Sequence, residues 1–281
     1  MIFTVYFFAE ARGRQSDIYF TNKEKNKMKK ILSILLAVLM LFSVASTAAF
    51  AAETEATVFV SVANDELKLA YKAVKVTDTD RDGVLTINDA LFCAHEQNYE
   101  GGAAEGYAAL STPQYGLSLT KLWGVSNGSG FGYYVNNESA WSLADEVKEN
   151  DHVFAFVYTD TKFWSDTYSF FNANEIAVKE NESFTLTLFS YSYDESWNMV
   201  KSPVAGAEIT ADGKATSVFT DEEGKATLSL SEGEHIISAS SANVILVPPV
   251  CKVTAEKLTF LEKVVAFFNM IINFFKNLFK F

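Results

Sequence analysis

Apolar and polar positions alternate with a period of two along most of this chain, and turn to a helical period in two places. Val58, Val60 and Val62 fall on one face of a strand over 56–62. Phe184, Leu186 and Leu188 alternate with threonines in a second clear strand. Residues 153–157 are all apolar between a turn at 149–151 and Tyr158; periodicity alone leaves a buried helical turn open, and the flanking turn with the β-branched and aromatic content favours a strand covered on both faces. From Ile176 to Val247, short apolar runs are broken by turns such as Asp212-Gly213 and Asp221-Glu222-Glu223-Gly224, the rhythm of a β-sandwich. The Gly/Ser-rich stretch 126–130 predicts a turn between two antiparallel strands, 122–125 and 132–137. The helical places are 90–96, ended by Gly101 and Gly102, and the C-terminus from Ala255. There Leu258, Leu261, Val265, Phe268, Ile272, Phe275 and Phe279 form one apolar stripe.

The pattern predicts a mainly β protein with minor α. An α+β first domain covers 54–170, a β-sandwich covers 171–253 and an amphipathic helix covers 255–281.

The first residues change where this fold would work. Lys29 and Lys30 precede an apolar run over 31–44, and Ala49-Phe50-Ala51 closes it with small residues at the first and third positions. That order reads as a secretory signal over 28–51, with Met28 as the natural start and 1–27 as an upstream extension. An N-terminal membrane anchor is the competing reading, although the apolar run is short for a span. The signal predicts a secreted or cell-surface protein.

Removing residues 1–51 takes away seven basic and three acidic residues, which moves the formal charge from −12 to about −16. So acidic a chain is not built to bind nucleic acid, which is held through basic patches. Cys93 and Cys251 are the only cysteines. Export permits a disulfide between them, and two separate buried thiols fit equally well.

Candidate chemistry concentrates at 78–89, Asp78-Thr79-Asp80-Arg81-Asp82-Gly83-Val84-Leu85-Thr86-Ile87-Asn88-Asp89. Carboxylates stand at loop positions one, three and five, and glycine at six. Val84 offers a backbone carbonyl at seven, Thr86 stands at nine and Asp89 closes the loop at twelve. This is EF-hand spacing for Ca2+, a hard cation that takes six to eight oxygens at about 2.3–2.6 Å. Asp89 is shorter than the usual glutamate at its position. The loop resembles those of dockerin modules and other extracellular calcium loops, without the second repeat that a dockerin carries.

No constellation points to catalysis. There is no phosphate-cradling glycine loop, no HExxH and no Cys/His metal set, so the expectation is a non-enzyme.

Trp123-Gly124, the run 132–138 (Gly-Tyr-Tyr-Val-Asn-Asn-Glu), Leu143-Ala144-Asp145 and the run 149–153 together resemble a DUF4430-type domain. That family is similar to the C-terminal β-domain of transcobalamin and intrinsic factor. Asn150-Asp151 stands here where the family has Gly-Asp. The resemblance implies a secreted β-module, and in its vertebrate relatives this domain helps to cover cobalamin. Trp123, Tyr133, Tyr134 and Trp141 could then form an aromatic ligand platform, or fill the sheet core. His95 and His152 could serve as axial ligands in principle, but ordinary structural places suit them better. Residues 203–239 resemble the Ig-like or prealbumin-like modules of bacterial surface proteins, which implies a stalk, spacer or binding role.

The leading expectation is thus a calcium-stabilised, non-catalytic binding or adhesion module. Its partner would be an extracellular protein or a small ligand, and a cobalamin-like ligand binder is the alternative. The tail over 255–281 could dock on the protein, self-associate or lie on a membrane surface.

Overall fold

The computed structural model of the protein describes residues 55–279, apart from 115, 129, 194, 195 and 197. The secretory signal expected over 28–51 and the extension expected before it lie outside the described residues. What is described is mainly β, 49% strand and 13% helix in three helices, which is the class the alternation predicts.

The chain opens with a hairpin of β1 (Glu55–Ala63) and β2 (Leu67–Thr77), irregular near Val62. The acidic loop over 78–86 follows, then α1 (Ile87–Asn98) and a one-turn α2 (Gly102–Gly106). Next come the hairpin of β3 (Ala108–Thr112) and β4 (Gly116–Lys121), then β5 (Phe131–Val135), β6 (Glu138–Ser139) and β7 (His152–Val157). The first sheet runs β2-β1-β7-β5-β6, with β7 parallel to β1 and antiparallel to β5. All six residues of β7 are buried. Val153, Ala155 and Val157 enter the first core, which α1 closes through Ile87, Leu91 and Ala94. Phe154 and Phe156 point the other way, into an aromatic layer shared with the second half.

That second half contains β8 (Thr167–Phe171), β9 (Glu175–Lys179), β10 (Phe184–Tyr193), β11 (Met199–Pro203) and β12 (Glu208–Ala211). It continues with β13 (Lys214–Phe219), β14 (Lys225–Leu228), β15 (Gly233–Ser240), β16 (Leu246–Val247) and β17 (Cys251–Glu256). One sheet is β11-β10-β8-β16, with β14 also paired to β10; the other is β13-β12-β15-β17-β9. Alternate residues of both sheets meet in a core of Phe171, Leu186, Leu188, Ile209, Ile237 and Val253. The helix α3 (Phe260–Phe279) ends the described chain.

Local expectations fail in three places. Residues 122–125 make no strand beside β5. Trp123 and Gly124 take φ of 48° and 79°, which folds Leu122 back onto Val125 in a tight turn. Gly102 does not end the helical region but opens α2. The C-terminal helix begins at Phe260 rather than Ala255, because Ala255 and Glu256 still pair with Val178 and Lys179. Thr259 and Glu262 then cap the helix start: the Thr259 N–H and hydroxyl donate to the Glu262 carboxylate at 2.7 Å each.

Candidate cation loop and aromatic cleft

The loop joins the end of β2 to α1, and its acidic residues fold it by capturing their own backbone. Asp78 accepts the N–H groups of Arg81 at 2.6 Å, Asp82 at 3.3 Å and Gly83 at 2.8 Å. Those bonds hold its carboxyl below the ordinary range, led by the one from Gly83. Asp82 accepts from the Val84 N–H at 2.8 Å. The turn needs left-handed backbone at Arg81 (φ 65°) and Gly83 (φ 89°). A Cβ on Gly83 would meet nothing within 4 Å, so the demand on glycine there is purely conformational. The result brings carboxylate oxygens of Asp78, Asp80 and Asp82 within 4.8 Å of one another. Desolvation first, then the Asp82 and Asp89 charges, raises the Asp80 carboxyl.

The last four loop positions serve the fold more directly. Thr86 is the N-cap of α1 and Asp89 its third residue, in a reciprocal capping box. Asp89 is fully buried. One of its oxygens takes the Thr79 N–H at 2.9 Å together with the Thr79 hydroxyl. The other takes the Thr86 N–H at 3.0 Å and hydroxyl at 2.7 Å. The carboxylates that face one another are therefore Asp78, Asp80 and Asp82, while Asp89 ties the two ends of the loop together.

Spacing gave no sign of what clasps the loop from outside. Val147 N–H donates to Leu85 carbonyl at 2.9 Å, Ile87 N–H to Asp145 carbonyl at 3.0 Å and Asn88 N–H to Leu143 carbonyl at 2.8 Å. Leu143 and Val147 anchor this segment in the first core. The available signal was their spacing of four beside the Leu-Ala-Asp motif, which does not name a partner. The same segment begins at Trp141, whose N–H donates to Asp145 at 2.9 Å. One stretch of backbone thus braces the loop and carries an exposed indole.

That indole borders a cleft of about 470 Å³ lined by Leu110, Thr112, Ser118, Leu119, Thr120, Phe131, Tyr133 and Trp141. None of these side chains is charged. Trp141 is 92% exposed. Of the four aromatic residues picked out from the sequence, only Tyr133 and Trp141 share this place. Tyr134, one residue on in β5, faces the opposite side and stacks on Tyr168 with ring centroids 3.6 Å apart. Trp123 packs behind α1, 4.9 Å from the His95 ring and 5.2 Å from Tyr99. The single platform does not form, because strand alternation and the tight turn send these rings to three different places.

Both imidazoles of the first half are buried structural groups. The His95 Nδ1 donates to the Leu91 carbonyl at 2.6 Å, and its Nε2 accepts the Trp123 N–H at 3.0 Å. That pattern fixes the neutral ring, and burial lowers its pKa. His152 Nε2 lies 2.9 Å from Ser61 Oγ, which also accepts the Tyr71 N–H at 2.9 Å. Burial brings His152 down to about 4. Cys93 and Cys251 are separate free thiols, one in each core. Burial raises the Cys251 thiol to about 12.

No family model matches the chain, and no curated protein matches it. Among solved structures it is similar to the fibronectin(III)-like modules of Clostridium thermocellum CbhA. That likeness has 10% identity and a TM-score of 0.26, and covers 45% of this chain and 77% of that one. It is also similar to the teleost fish polymeric Ig receptor ectodomain, at 9% identity and a TM-score of 0.19, over 54% of this chain and 73% of that one. At such scores neither likeness carries an argument about function.

Proposed function

We propose that this chain is an exported, non-catalytic binding or adhesion module whose first half is held in shape by one Ca2+ at residues 78–89. The observation that supports this reading is the convergence of Asp78, Asp80 and Asp82 on one small volume. Three carboxylates at that spacing repel one another, and a hard dication relieves the repulsion while taking their oxygens as ligands. Val84 would add its backbone carbonyl, and water would complete the shell. Thr86 and Asp89 would hold the loop ends from behind. In this role the ion links β2 to α1, as a staple rather than a signal.

Calorimetric titration and thermal unfolding test the reading together. Extracellular modules bind calcium with dissociation constants of about 10⁻⁴–10⁻³ M. At about 2 mM calcium such a site adds roughly 0.6–2 kcal/mol of stability by mass action. For a chain of this size that raises Tm by roughly 2–8 °C. Asp80→Ala and Asp82→Ala, both at exposed positions, should fold normally and lose the binding heat and the shift. A wild-type protein that gives neither heat nor shift would rule the calcium role out.

The cleft favours a second reading, capture of a small ligand beside Tyr133 and Trp141. Its volume lies within the range of about 300–1,000 Å³ usual for ligand pockets, and its uncharged lining suits a neutral ligand. A cobalamin-like ligand would find no free imidazole at His95 or His152, since both are turned into the fold. An occupant should blue-shift Trp141 emission during titration with neutral oligosaccharides or, monitored by dialysis, retain cobalamin. Trp141→Ala, followed by calorimetry or dialysis since it lacks the indole, should bind either ligand at least tenfold more weakly. Wild-type protein that responds to neither leaves the adhesion reading alone.

A further inference from the structure

The C-terminal helix carries an inference that does not depend on calcium. Its first turn is fixed to the body. The Leu258 N–H donates to Glu180 at 3.0 Å, Lys263 pairs with Glu180 at 3.1 Å and Glu262 with Lys179 at 3.5 Å. Beyond that turn the sequence changes character. From 264 to 279 twelve of sixteen residues are apolar, and Asn269, Asn273, Lys276 and Asn277 fall on one narrow stripe. Leu261, Val265, Ile272 and Phe274 are between 50% and 71% exposed. An apolar face exposed at these four positions, spread over more than three turns, needs a cover.

Three covers are conceivable, and charge and shape choose between them. A transmembrane crossing is unsuitable, since no helix among the described residues is long and apolar enough to make one. A second copy would meet the helix along a seam of about two residues in seven, leaving most of this wide face wet. It would also bring two strongly acidic bodies together. A bilayer surface accepts a wide apolar sector whole. The charge complements it as well: after Glu262 the chain has three lysines, Lys263 (paired with Glu180), Lys276 and Lys280, and no acidic residue, in a protein otherwise rich in carboxylates.

We infer that α3 is an interfacial helix that lies on an anionic lipid surface, its apolar face in the headgroup–acyl boundary. The acidic body is joined to the helix through residues 257–263, and salt screens its repulsion beyond about 8 Å. Lys276 and Lys280 add the preference for anionic headgroups.

Flotation of the chain from Ala52 onward tests this, with vesicles of phosphatidylcholine alone and with about a third phosphatidylglycerol. The chain should float with both, and about ten- to thirtyfold more tightly with the anionic lipid, as expected of two lysines near the surface. Ile272→Glu with Phe274→Glu should reduce binding to either vesicle at least tenfold without changing Tm, because both side chains are exposed. Lys276→Gln with Lys280→Gln should remove the anionic preference and keep the binding to phosphatidylcholine. Two results would overturn the inference. One is a chain that stays at the bottom with both vesicles. The other is an oligomer in solution that the glutamate pair dissolves, with no flotation, which would make a second copy the cover.

Discussion

Asp89→Ala should destabilise the protein by about 3–5 kcal/mol, the largest effect expected of any single change in the loop. Four donors converge on this one buried carboxylate, from the main chain and side chains of Thr79 and Thr86. Bonds to a charged group are worth about 1.5–3 kcal/mol each, though not additively. The N-cap of α1 is lost with them, at about 1 kcal/mol. Water cannot replace the missing oxygens easily, because the site is fully buried. Asp89→Asn keeps the shape but aims an amide N–H2 at one of the two donor pairs, so it should recover less than half of the loss. Urea unfolding of the three proteins, with and without calcium, measures this. A loss under about 1 kcal/mol would show that the carboxylate does not tie the loop ends, and would return Asp89 to the role of a plain ligand.

The second large effect is expected at Tyr168. Its ring stacks on Tyr134 at 3.6 Å and meets Phe154 edge-on at 5.5 Å, and its hydroxyl donates to Asn137 at 2.9 Å. It belongs to β8, in the second half of the chain, while its partners come from the first sheet and its turn. Tyr168→Ala removes the centre of the layer that joins them, at a cost of about 3–5 kcal/mol. The two cores on either side remain intact, so the melt should split into two transitions. Tyr168→Phe, which keeps the stack and loses one hydrogen bond, should cost about 1 kcal/mol and leave one transition. Calorimetry distinguishes these outcomes. A single sharp transition in the alanine variant would mean that the halves are coupled elsewhere.

The sequence was most informative where residues act on near neighbours. The Asp78–Gly83 turn is written within six residues, because each carboxylate captures an N–H two to five positions on. The unbroken apolar run of β7 announced a strand covered on both faces, and Val153 and Phe154 do enter different cores. Legibility ended where partners are distant. Nothing in β1 or β7 foretells their parallel pairing across some ninety residues, nor that 143–147 would clasp the loop. The aromatic set misled for a physical reason. Tyr133 and Tyr134 are consecutive in a strand, so a shared face was never open to them. Trp123 followed its backbone into a left-handed turn that its neighbours in sequence do not advertise. The helix boundary at Phe260 depended on β9, which claims Ala255 and Glu256 from 75 or more residues away.

The clasp over 143–147 has a consequence for how a cation would fill the loop. In paired calcium loops each loop braces the other, so filling one changes the affinity of its neighbour. Here the brace is a stretch of chain that, among the described residues, contributes nothing to the one cluster of acidic groups able to hold a metal ion. Cooperativity requires a second site to couple to, and this loop has a fixed support in its place. Occupancy would therefore rise hyperbolically with ambient calcium, with a Hill coefficient of one. The module would stiffen by degrees as the ion concentration around it rises, a dial rather than a trigger.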